Sequence, residues 1–259
     1  MSKKPDLRAL AHSILEGDGD FDEVRILGGL TCKGSLNANV VDVKGSIKAN
    51  GSIWSNEVTV FGGVKVGADI IANENITING GAELGGKMEG KVVEINGGIE
   101  TKEGIKAAEL IVKGGARVGG DIKVEGTIEA IGGLESKRMI SATDLIAIGG
   151  FSSMRSVKVL GTIEARGQIE VEEDIECDEF NLKISGPSII RGKLQANKIK
   201  IELDDKAKRE VYLRVSEIVC STRCDMDYVF AEKVVSPKIN AGQNCRIGEP
   251  IDKSYDPNL

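Results

Sequence analysis

The chain is short of aromatic residues, histidine, proline and long apolar runs, and most of these shortages exclude something. Aromatic side chains are 3% of the 259 residues, with one Trp and three Tyr. A core built without them is made of Val, Ile, Leu and Ala, which suits thin, regular layers. A sugar-binding cleft would have almost nothing to stack on. His12 is the only histidine, so the usual general base of acyl transfer is missing from the rest of the chain. Five cysteines (Cys32, Cys177, Cys220, Cys224 and Cys245) are odd in number and widely spread. That is a poor disulfide framework, and it fits a reducing cytosol. Apolar runs long enough for a membrane-spanning helix do not occur. The opening stretch MSKKPDLRALAHSILEG lacks the apolar segment of a secretory signal. The net charge is −6, from 34 basic and 40 acidic residues that are well mixed, so the basic face that a nucleic-acid partner needs is not expected.

Glycine is plentiful, at 33 residues, without the three-residue period of collagen. Between the glycines, short segments alternate apolar, polar, apolar, as in the runs beginning at Val24, Val58, Val64 and Ile122. Such alternation is a very short strand with one face inward. The inward first positions form three series. One runs Leu36, Ile53, Ile70, Met88, Ile105, Ile122, Ile140, Val157 and Ile175. A second runs Val41, Val58, Ile76, Val93, Leu110, Ile128, Leu145, Ile163 and Phe180. A third runs Ile47, Val64, Ala82, Ile99, Ala116, Leu134, Phe151 and Ile169. Every step is 17 or 18 residues, and a column of glycines from Gly28 to Gly167 keeps the same step two residues before the third series. A corner that needs positive φ selects glycine at each turn. Each series is therefore one side of a three-sided coil. One coil cannot bury its own inward side chains, so neighbours stack, with strands paired in parallel about 4.8 Å apart. The expected fold is all-β, a three-sided parallel β-helix with 17–18-residue coils.

Residues 18–201 read as regular β-helix. Residues 202–247 read as less regular coils with a protruding loop in LDDKAKREVYLRV, and residues 248–259 as a tail. Residues 1–17 look different. Leu7, Leu10, Ala11, Ile14 and Leu15 share one helical face, with Asp6 placed as an N-cap and Gly17 as a C-cap. The expectation is a short amphipathic helix acting as a cap over the open end of the stack, with Leu7, Leu10, Ile14 and Leu15 as its capping or docking face.

Runs such as KGSIKANGSI (44–53), GGDIKVEGTIEAIGG (119–133) and VLGTIEARGQIEVEEDI (159–175) resemble the coils of the bactofilins, polymer-forming cytoskeletal proteins. The resemblance covers residues 24–185 well and the rest loosely. It implies a right-handed β-helix that assembles end to end with itself, without bound nucleotide, in the cytoplasm and often on the inner membrane surface. This chain is longer than typical members, has little N-terminal tail and begins with the expected cap, which would block assembly at that end if fixed.

No catalytic residue, metal or cofactor is expected. The rival reading is a left-handed hexapeptide-repeat acyltransferase or a β-helical carbohydrate-binding module. The former wants a histidine between coils, and the frequent five-residue spacings fit its stricter period badly. GAELGGK, residues 81–87, approaches a phosphate loop, but Met88 stands where a magnesium-binding hydroxyl belongs and a strand follows where a helix is needed. Cys220 and Cys224 lack a second ligand pair for zinc. Glu172, Glu173, Asp174, Asp204 and Asp205 read as solvated charge at a corner and a loop. Outward apolar residues are the anomaly: Trp54, Ile71, Phe61 and, above all, Ile111, Ile131, Ile146 and Ile148. The last four are expected to form a lateral contact patch. An uncovered C-terminal end could also join two molecules head-on.

Overall fold

The computed structural model describes residues 4–207 and 211–248, and all of the regular structure among them is strand. The chain divides into two compact units, Met1–Glu125 and Gly126–Leu259.

In the first unit every coil has three sides. These are separate strands in the early coils, and from Ile53 on two of them join in one bent strand such as Ile53–Val60. Sides one coil apart pair in parallel. On one side Leu7 lies beside Val24, Val24 beside Val41 and Val41 beside Val58. On the next, Leu30 lies beside Ile47, Ile47 beside Val64 and Val64 beside Ala82. On the third, Leu36 lies beside Ile53, Ile53 beside Ile70 and Ile70 beside Met88. These are the three series read from the sequence, and all their members in this unit are buried. The cause is geometric. A strand side chain alternates faces, so the flanking aliphatics of each triplet point in and the middle residue points out. Each fully buried Val, Leu or Ile contributes about 1.5–3 kcal/mol, and the stack repeats that term coil after coil.

Corners decide whether such short strands can stack. Gly45, Gly62, Gly80, Gly97 and Gly114 all have φ between +150° and +159°. At Gly62 a Cβ would stand 2.5 Å from the Gly45 carbonyl oxygen of the coil below, so both conformation and close approach demand glycine. Another corner is tied by a ladder of polar contacts. The Ser35 amide donates to Asp18, the Ser52 amide to Ser35 Oγ, the Asp69 amide to Ser52 Oγ and the Lys87 amide to Asp69, at 2.6–3.3 Å. Asn39, Asn56 and Asn73 continue a second ladder that begins at Asp22.

The second unit follows the same plan. Ile128, Leu145, Ile163 and Phe180 are successive parallel partners, all fully buried. Its later strands are long and bend around corners, as in Ser188–Leu203 and Leu213–Met226, which pair with each other. The expected protruding loop is therefore shorter than LDDKAKREVYLRV, because Leu213–Val215 are already strand opposite Ser188–Ile190. Residues 208–210 of that loop lie outside the described residues, as does the expected tail from residue 249 onward.

The N-terminal helix is not formed. Leu7–Ala9, Ser13–Leu15 and Gly19–Asp20 are strands, paired with Glu23–Ile26, Leu30–Cys32 and Leu36–Asn37. The segment is the first coil rather than a cap upon it. A helix this short is marginal on its own. As strands, the same residues satisfy the backbone edge of the next coil and cover its aliphatic side chains.

Candidate functional site

His12 sits at an exposed corner, its Nε2 3.2 Å from the Thr31 hydroxyl. Residues 81–87 lie on the strand Ala82–Leu84 and the corner leading to the strand Met88–Asn96, with no helix N-terminus beside them. Glu172 is gripped by Arg191, Glu173 accepts from the Ser156 hydroxyl, and Asp174 accepts from the Lys193 amide. Asp204 is 2% exposed and held bidentately by Arg166, with a further hydrogen bond from the Lys206 amide. The Arg166 guanidinium brings its carboxyl down to about 2. These carboxylates hold corners and a loop in place.

Cys32, Cys177, Cys220 and Cys224 are buried, and Cys245 is half-buried. Burial pushes the Cys177 and Cys224 thiols up to about 12, with the neighbouring Cys220 and Asp225 adding to the effect at Cys224. Such thiols are poor nucleophiles and poor metal ligands at neutral pH. Among the described residues no group of three or more His, Cys, Asp or Glu is placed to hold a metal ion. No helix there is long and apolar enough to cross a membrane.

The expected lateral patch is brought together in part. Ile131 and Ile148 are direct ladder partners, 42% and 47% exposed. Ile146 lies two residues before Ile148 on the same face of Asp144–Ser153 and is half-buried. Ile111 belongs to the other unit, half-buried opposite Glu94. The expected docking face does not exist as a face. Leu7 and Leu15 point inward and are half-buried, Ile14 points outward, and Leu10 sits on a corner at 83% exposure. Leu10 and Leu27 line a shallow groove of about 380 Å³ with Arg8, Arg25, Asp42 and Lys44.

Two features escape sequence reasoning. Phe230 stacks on Tyr212 with centroids 4.4 Å apart, and Arg214 and Arg246 lie 5.1 and 5.2 Å from its ring centre. The crowding of Tyr212, Tyr228 and Phe230 into a chain with so few aromatics was the available signal. The other feature is the state of the first coil, which the sequence read as covered by a helix, and it has a counterpart at the last described coil. In the first coil Leu7, Ala9 and Leu15 are half-buried, whereas their partners Val24, Ile26 and Cys32 are 0–1% exposed. In the last described coil Ile239–Ala241 is exposed throughout, and Val235, Ile239 and Ile247 are 44–47% exposed. Among the described residues, the strands Leu7–Ala9, Ser13–Leu15 and Ile239–Ala241 each have a pairing partner on one edge alone. An unpaired edge with half-covered apolar side chains is a template for another strand.

Comparison with protein-family models, with curated proteins and with solved structures finds no match to this chain.

Proposed function

We propose that the protein is a structural scaffold that associates with copies of itself through its terminal coils, without nucleotide, as the resemblance to the bactofilins implies. The observation that carries this reading is the pair of terminal coil edges that have no partner strand among the described residues and carry half-covered aliphatic side chains. A second copy satisfies both needs with the same ladder that joins coils within each unit. In this reading the protein works in the cytoplasm, where its five free thiols stay reduced, and the inner membrane surface is a further contact. No enzymatic step belongs to the proposal.

Sedimentation velocity over a dilution series of the purified chain, with and without added nucleoside triphosphate, tests it. The expected result is a mean sedimentation coefficient that rises with concentration and ignores the nucleotide. A single species of monomer mass throughout would overturn the reading.

A further inference from the structure

Resting on the membrane contact of the reading above, we propose that one corner of the first four coils docks on an anionic lipid surface. Leu10, Leu27 and Phe61 stand in one column there, 83%, 53% and 51% exposed, with Lys44 between the last two. The column is continuous. The Leu27, Lys44 and Phe61 amides donate to the Ala9, Ile26 and Val43 carbonyls of the preceding coil, at 2.8–2.9 Å. At one coil spacing per step the row is about 14 Å long. Across the corner Ile14 points outward at 56% exposure, and its own ladder column continues through Thr31 to Lys48. Scattered exposed apolar residues are ordinary, but four of them on one corner form a contact surface.

Shape and charge select a lipid surface as the occupant. The row stands at the bend between two sides of the coil, where the following positions Gly28, Gly45 and Gly62 carry no side chain. The apolar side chains therefore project from a ridge. Two such ridges meet along a line, far short of the ~800 Å² per partner that a stable protein contact buries. A fluid headgroup layer admits a ridge and covers its apolar residues. Lys44 and Lys48 are exposed and make no ion pair among the described residues. The nearest acids lie off the row, on the preceding side. Glu23 is held by Arg8 and Arg25, and Asp42 is the ladder partner of Arg25. Ammonium groups set among apolar side chains suit phosphate headgroups, because the lysine stems lie along the apolar surface while their charge stays at the headgroup level. The corner runs along the stack, so docking there does not use the edge of the first coil.

Flotation of the full chain with vesicles tests this. The protein is expected to float with vesicles of phosphatidylglycerol and phosphatidylcholine, and several-fold less with phosphatidylcholine alone. Leu10→Ser with Phe61→Ser, and separately Lys44→Glu with Lys48→Glu, should each weaken flotation several-fold. All four side chains are exposed, so thermal midpoints should match the parent. Leu27→Ser serves as a second carrier should the serine pair unfold. Leu160→Ser, at an 82% exposed position of the other unit, should change nothing. Trp54 points outward from the side that does not meet this corner, so its emission should stay unshifted on vesicle binding. Four results overturn the proposal: no flotation with the anionic vesicles, flotation indifferent to both pairs, an equal loss with Leu160→Ser, or a shifted Trp54. A serine pair that loses self-association in lipid-free buffer also overturns it, since the corner would then be a contact between copies. A chain that floats with anionic vesicles yet sediments as a monomer without lipid overturns self-association and leaves the lipid contact standing.

Discussion

Asp204 is the one carboxylate among the described residues that the fold takes almost fully inside, and Arg166 is the reason it can be there. Its carboxyl lies at about 2, held down by the Arg166 guanidinium and then by the Lys206 amide, against about 3.9 for a free aspartate. A group depressed in the folded state stabilises the fold above its unfolded value and loses that contribution as pH falls. The contribution is therefore complete above about pH 4 and gone near pH 2, from those two values. Asp204→Asn should cost about 1.5–3 kcal/mol at neutral pH, the range for hydrogen bonds to charged groups. The gap in thermal midpoint between parent and variant should close between pH 4 and pH 2. A gap that persists unchanged into acid would mean that Asp204 does not act through its charge. The Cys224 thiol makes the opposite case. Burial first, then Cys220 and Asp225, push it to about 12, so about one molecule in ten thousand is thiolate at pH 8. Native protein should leave Cys224 unalkylated by iodoacetamide under conditions that label the half-buried Cys245, and denaturant should expose it. Rapid native labelling of Cys224 would show that its coil opens.

The first coil shows how far short elements are legible. Leu7 and Val24, Leu10 and Leu27, Ala11 and Gly28 are all 17 residues apart, the step of the repeat. That step was masked because Ser13 and Gly19 stand at inward positions that are apolar from Leu30 to Ile169 and from Leu36 to Ile175. The apolar residues that remain happen also to satisfy a helical period, and Ala11 replaces the corner glycine. Where the aliphatic series is unbroken, from Leu36 to Ile175, sequence and structure agree residue by residue. The pair Ile131 and Ile148 was legible for the same reason, since a 17-residue step makes them neighbours. Ile111 also points outward, as its alternation predicts, and is half-buried beside Glu94. The exposed last described coil was anticipated, since a stack of coils must end in an edge, whereas the first coil was not, because its residues read as a covering helix. Deleting residues 1–17 distinguishes strand from helix directly. The far-ultraviolet difference spectrum should carry no helical minimum near 222 nm. The truncated chain should melt at lower temperature, because Val24, Ile26, Leu30 and Cys32 lose the residues that cover them. A helical difference spectrum would contradict the strand assignment.

In the proposed reading, what the chain does depends on how its first and last coils meet other copies. A stack of identical layers has no natural stopping point, since each new coil offers the edge that the previous one offered. Natural sheet proteins guard such edges with charge, bulges or a covering segment. Here, among the described residues, both terminal coils carry charged side chains beside half-covered apolar ones. Charged rims select the partner and orientation of a contact more than they strengthen it, so in this reading the apolar edge residues supply most of the driving force. Assembly should therefore survive moderate salt. Negative-stain electron microscopy of the purified full chain, without nucleotide, tests the central claim most directly. Self-association through the terminal coils predicts elongated particles that lengthen with protein concentration and keep the width of a single chain. Uniform particles of monomer size at every concentration, or sheets that widen without lengthening, would contradict it.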